Sequence, residues 1–180
     1  MTITQVRLSE QDYLHLPDDG RKYELVDGEP KEVPAGHEHD TIGITVATLI
    51  RPFARGRGFV AGSQAGFLMA NGNIRSPDVS FMRADRLPGG KPGKGFAQGA
   101  PDLCVEILSP SEERSEIERK LREYFASGAQ KVWHLMPETQ RVHVFESPAD
   151  YTEYGPTDTL TEEALLPGFT CVVAELFALE

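Results

Sequence analysis

From His39 onward, Ile42, Val46, Leu49, Ile50 and Phe53 recur at the spacing of one helix face, and Gly56 and Gly58 stop the run. A second helical stretch follows Ser111, where Ile117, Leu121, Tyr124 and Phe125 form an apolar face closed by Gly128. Short apolar runs bounded by turn residues predict strands between and after these helices: Phe59 to Met69, Asp78 to Met82, Leu103 to Leu108, Lys131 to Leu135 and Arg141 to Phe145. Near the start, Ser9 and Asp12 predict a capped short helix, Pro17-Asp18-Asp19-Gly20 a turn, and Asp27-Gly28 a hairpin between Tyr23–Val26 and Pro30–Val33. Leu87 to Gly99, rich in Gly, Pro and Lys, predicts a mobile loop. The remainder to Glu180 predicts a turn, a short strand and a terminal helix or tail. Strands flanked by helices make an α/β (α+β) fold with a mixed sheet. No repeat or long linker divides the chain, so residues 1–180 are expected to form one domain.

Two carboxylates break the apolar pattern. Asp78 opens the strand after Ser76-Pro77, and Glu106 sits among Cys104, Val105, Ile107 and Leu108. An ionised group in a buried strand needs a compensating cation, a metal or a shifted pKa, and each of these marks a site. Lys120 on the next helix supplies a candidate cation. Asp, Glu and Lys converging from two strands and a helix outline a metal-dependent phosphodiesterase.

Composition narrows the class. Hydrophobic residues make up 39% and charged residues 26%, as in an ordinary globular protein. No apolar stretch has membrane-spanning length, and the first residues lack a signal peptide's apolar core. Cys104 and Cys171 stand alone without metal-binding spacing, so the expected compartment is the cytoplasm. The net charge of −10 is adverse for a nucleic-acid binder, and only local clusters such as Arg51, Arg55 and Arg57, or Lys91 and Lys94, offset it.

Five segments in register carry a resemblance: Tyr23-Glu24-Leu25-Val26-Asp27-Gly28-Glu29, His39 opening a helix, Ser76-Pro77-Asp78-Val79, Pro101 through Ser111, and Lys120 with Tyr124, Gly128 and Trp133. Together they resemble the Uma-type family of bacterial restriction endonucleases, within the PD-(D/E)XK nuclease superfamily. The resemblance implies a restriction-endonuclease-like core over about residues 23–146, built as a helix, a three-stranded meander, a helix and a further strand, with an extra N-terminal hairpin. It also implies Mg2+-dependent cleavage of DNA phosphodiesters. In the superfamily pattern a lysine lies two positions after the second acid, where this chain has Leu108, and Lys120 is the nearest substitute.

The chemistry suits these residues on physical grounds. Mg2+ (or Mn2+) is a hard cation that prefers oxygen and keeps several waters, so one or two carboxylates hold it. Asp78 and Glu106 are the expected ligands, with the backbone carbonyl of Ile107 a third. Lys120 is expected to orient the attacking water or stabilise developing charge. Glu24 is a further catalytic candidate, as a ligand or a water-positioning base, and His39 a second-tier one. Each has a plainer reading: Asp78 and Asp102 as turn caps, Glu24 paired with Lys22, Lys120 paired with Glu116, and Tyr124 and Trp133 as core. A catalytically inert binding or assembly module on the same fold is the main alternative, and a two-carboxylate glycosidase a remoter one. Cutting both strands of a duplex needs two sites, so a homodimer acting on DNA is the expected assembly, with no membrane partner.

Overall fold

The computed structural model describes residues 8–15, 21–33 and 36–179, and the expected turn at Pro17-Asp18-Asp19-Gly20 lies outside them. Helix α1 (Glu10–Leu14) begins with a capping box, in which Ser9 Oγ accepts the Asp12 N–H and the Asp12 carboxylate accepts the Ser9 N–H. The expected hairpin is β1 (Tyr23–Val26) and β2 (Glu29–Glu32), with positive φ at both Asp27 and Gly28, as a two-residue hairpin turn requires. Helix α2 (His37–Ala54) buries Ile42, Val46 and Ile50 along one side.

The predicted strand from Phe59 to Met69 is two strands instead, β3 (Gly58–Gly62) and β4 (Phe67–Leu68), which join different sheets. The break has a steric reason at Gly66. A Cβ there would lie 2.5 Å from the Phe96 ring, so only glycine lets that ring lie on the backbone. After the Asn71-Gly72-Asn73 turn, β5 (Ile74–Arg75) precedes β6 (Val79–Arg83). The expected loop carries more structure than its composition predicts, namely a 3-10 turn at Pro88–Gly90 and β7 (Ala97–Gln98). Then come β8 (Leu103–Ile107), α3 (Arg114–Ala126), β9 (Lys131–Met136) and β10 (Arg141–Ser147). The C-terminal part exceeds the single strand expected, with β11 (Asp150–Tyr154), β12 (Thr159–Thr161), β13 (Thr170–Val172) and a closing 3-10 helix at Val173–Phe177.

The main sheet has the order β11-β10-β9-β8-β6-β3, in which β8 and β9 are parallel and every other pair antiparallel. Alternation along β8 divides the core. Leu103, Val105 and Ile107 pack with α2, whereas Cys104 joins the cluster under Leu121 and Tyr124 of α3. Helix α2, the meander β3-β6-β8, helix α3 and β9 therefore reproduce the expected core, with the N-terminal hairpin beside it. Among the described residues no helix is long and apolar enough to cross a membrane.

A second sheet, β2-β1-β5-β4-β7, is fastened to α3 by one buried cation. Arg75 is 1% exposed, and its guanidinium contacts Glu24 at 2.9 Å, Glu116 at 2.9 Å and Glu123 at 2.7 Å. Glu123 also accepts from Asn73 and Arg119, and Arg119 reaches on to Asp27 in the hairpin turn. Burial opposes ionisation of Glu123, but Arg75 and then Arg119 outweigh it and hold the carboxyl below its ordinary range.

Removing one member of such a buried network strands the others. Arg75→Met should lower stability by about 3–5 kcal/mol, read by chemical denaturation. Glu123 is an acid with a depressed folded pKa. Its stabilisation is present above the unfolded carboxylate value of about 4.3 and lost as pH falls through the lower folded value. Unfolding of Glu123→Gln should accordingly show a flatter acid limb below pH ~4 than the wild type.

Candidate active site

Register alone brings the two strand carboxylates together. Val79 pairs with Val105 in the antiparallel β6–β8 ladder, so Asp78 and Glu106 stand at the next position, at the same end of the sheet. The Asp78 carboxylate accepts the Ile107 N–H at 2.8 Å, which ties the end of β8 to the start of β6. The first turn of α2 delivers His39 to the same place. Its Nε2 is 2.8 Å from the Ile107 carbonyl oxygen and 3.2 Å from Asp78 Oδ2. Both neighbours of Nε2 accept, so this nitrogen carries the proton. The hydrogen bond with Asp78 is the main reason the imidazole pKa is raised; burial opposes it.

Helix α3 supplies the opposite wall. Lys120 Nζ lies 3.4 Å from Glu106 Oε2 and 3.9 Å from Glu24 Oε2. Tyr124, one helical turn on, donates its hydroxyl to Glu106 Oε1 at 2.5 Å. Burial works to strip Lys120 of its proton, but the charges of Glu106 and Glu24 reverse that, and its pKa rises. Glu106 is pushed up to about 7, chiefly by burial; Lys120 pulls it down, while the charges of Asp78 and Glu24 add to the rise. Glu24 is held at both oxygens, by Arg75 and by the Ser76 N–H at 3.0 Å.

These groups line a cavity of about 340 Å³ that also takes in Lys22, Ser63, Ser109 and Glu112. Asp78, Glu106, Ile107, Lys120 and His39 all reach it. Glu24 stands behind Lys120, with its carboxylate turned to Arg75.

The donor set fits a hard divalent cation. Two carboxylates and a backbone carbonyl are oxygen ligands of the kind Mg2+ takes, and a carboxyl lifted to about 7, chiefly by burial with Asp78 and Glu24 adding to it, gains from a cation beside it. Among the described residues no group of three or more His, Cys, Asp or Glu side chains forms a metal cage.

Three participants were hidden from sequence reasoning. Arg75 looks like a turn-flanking surface residue, and only the pairing of β1 with β5 sets it against Glu24. Tyr124 reads as core and is fully buried, yet its hydroxyl ends on Glu106. His134 faces Glu106 across the parallel β8–β9 pair, and burial lowers it to about 4, so it stays neutral beside the site. The i, i+4 spacing of Lys120 and Tyr124 was the one signal available for the tyrosine. Asp102, read as a cap, is buried and accepts from Arg83 N–H and Gln130 Nε2, away from the site.

No curated protein sequence matches the chain. Its fold is similar to the crystal structure of a protein from Anabaena variabilis ATCC 29413 described as "a putative nuclease belonging to DUF820". The TM-score is 0.76 at 18% identity, over 94% of this chain and 97% of that one. Residues 10–174 match the model of the Uma2 family, described as "Putative restriction endonuclease", and the chain belongs to that family.

Proposed function

We propose that this protein is a Mg2+-dependent (or Mn2+-dependent) endonuclease that hydrolyses phosphodiester bonds in DNA. The observation that carries the reading is Lys120 Nζ at 3.4 Å from Glu106, which puts a cation beside the strand acid although Leu108 stands where the superfamily has lysine. Membership of a nuclease family supports the reaction class. Action in the cytoplasm as a homodimer belongs to the same proposal.

In this reading Asp78, Glu106 and the Ile107 carbonyl hold the ion. When bound, the metal supplies neutralisation of phosphate charge and acidification of water. The remaining work falls to the chain's own groups. A water oxygen attacks phosphorus while the bond to the leaving oxygen breaks; the water's proton passes to solvent in the cavity, the leaving oxygen takes one from solvent, and negative charge grows on the phosphate in between. Lys120, kept protonated by Glu106 and Glu24, stabilises that charge and is unsuited to accept a proton. Glu24 holds Lys120 in place through its own bond to the Ser76 N–H. Tyr124 holds Glu106 Oε1, and Oε2 is the oxygen that meets Lys120. His39 orients Asp78 and the Ile107 carbonyl from the α2 side.

Plasmid nicking should require Mg2+ or Mn2+ and stop in EDTA. Asp78→Ala and Glu106→Ala should each abolish it, and Lys120→Ala should slow it about 10²–10³-fold. Cleavage that survives both carboxylate substitutions would sink the site. Absence of cleavage across metals and substrates would favour the inert module.

A second measurement needs no turnover. Glu106 has a raised folded pKa, so its contribution to stability is present below about 4.3 and lost as pH rises through about 7. Without metal, melting temperature should fall across that window in the wild type and less in Glu106→Gln. At pH 8, Mg2+ at tenfold over its Kd should restore about 1.4 kcal/mol, roughly 3–6 °C, in the wild type alone.

A further inference from the structure

The catalytic cavity continues into two others. It shares Lys22 and Ser63 with a cavity of about 180 Å³ behind α1 and β1. That one shares Gln64, Gly66 and Phe96 with a third of about 420 Å³ beneath the loop that precedes β7. The three form a trough leading away from Asp78 and Glu106.

Its lining departs from the rest of the surface. The chain carries 28 acidic against 18 basic residues, yet among the described residues no carboxylate lines either of the outer two cavities. Their charged residues are Arg21 and Lys22 in one and Lys91 and Lys94 in the other. Lys91 and Lys94 are exposed and take no ion pair among the described residues. Between the cations lie aromatic rings. Phe96 is the wall common to both outer cavities, set against Gly66 and 5.8 Å from the Tyr13 ring. Phe59, 38% exposed, stands on the floor of the larger one. Cations alternating with aromatic faces are what a single nucleic-acid strand requires, because phosphates take the charge and unpaired bases stack on rings. A duplex hides its base faces.

We infer that the substrate is single-stranded or locally unpaired nucleic acid, threaded from the catalytic cavity past Lys22 and over Phe96 toward Lys91 and Lys94. This rests on the nuclease reading of the same site and adds the strandedness of what enters it. The −10 net charge then has a use. Apart from the Arg51, Arg55 and Arg57 cluster, the surface away from the trough disfavours phosphate, and the trough offers a basic path to the site.

The test is fluorescence anisotropy with a fluorescein-labelled DNA 12-mer, its RNA counterpart and the matching DNA duplex, in Ca2+ to hold substrates uncut. The single strand should bind at least tenfold more tightly than the duplex. Lys91→Ala with Lys94→Ala should weaken it and reduce the salt slope by about 1.4. Phe96→Leu, which keeps bulk and removes the π face, should cost about tenfold, and Phe96→Trp should restore binding. The DNA and RNA arms decide which sugar the path accepts. Equal duplex affinity, or single-strand binding indifferent to the Lys and Phe changes, overturns the proposal. Duplex nicking dependent on Asp78 and Glu106 but untouched by the trough variants overturns it as well and leaves the nuclease reading standing. Strand-selective binding without cleavage of any substrate supports the trough and counts against the nuclease reading.

Discussion

A buried guanidinium holds the two halves of this protein in register. Arg75 contacts Glu24 of β1 and both Glu116 and Glu123 of α3, so the N-terminal sheet cannot shift against the helix without exposing an unpaired charge. Lys120 rides on that helix and Glu24 on that sheet. The 3.9 Å between them is set by a network whose centre lies outside the candidate site. Arg75 thereby does for the position of Lys120 what a strand register does for a residue on the strand itself.

That substitution of means accounts for the oddest feature of the sequence. A lysine on the same strand as Glu106 would be placed by the backbone, two residues along. Here Leu108 follows the last residue of the strand, and the ammonium comes from a helix whose orientation is enforced by three ion pairs and by the Tyr124 hydroxyl on Glu106. The arrangement costs more residues. It also surrounds Glu106 with groups that pull its ionisation both ways, Lys120 against burial, Asp78 and Glu24. A carboxyl balanced near neutrality responds to any cation brought beside it, which is the property a site for an oxygen-liganded metal needs.

Much of this was legible beforehand. Helix α2, the hairpin, β6, β8 and α3 follow from periodicity and turn residues, because each buries one face and its spacing must match its geometry. Asp78 and Glu106 stood out as acids within apolar runs. What misled was local. Phe59 to Met69 has the composition of one strand, but Gly66 yields to the Phe96 ring thirty residues later, and the chain switches sheets. Leu87 to Gly99 reads as loop because its Gly and Pro content carries no period, although parallel pairing with β4 orders its end. At the C-terminus, strands of three residues are too short to show any alternation.

The sequence by itself determined the family, the core order of helices and strands, and the two acids at the sheet end. Those depend on neighbours a few residues apart, or on motifs read in order. Tertiary structure alone decided the company those acids keep: Arg75 behind Glu24, Tyr124 on Glu106, His39 against Asp78 and the Ile107 carbonyl, and a basic, aromatic trough assembled from α1, β3, β4 and the loop before β7. Such contacts join residues separated by tens of positions, and no period in the chain encodes which buried charges will meet. Only the closing of the two sheets around α3 does.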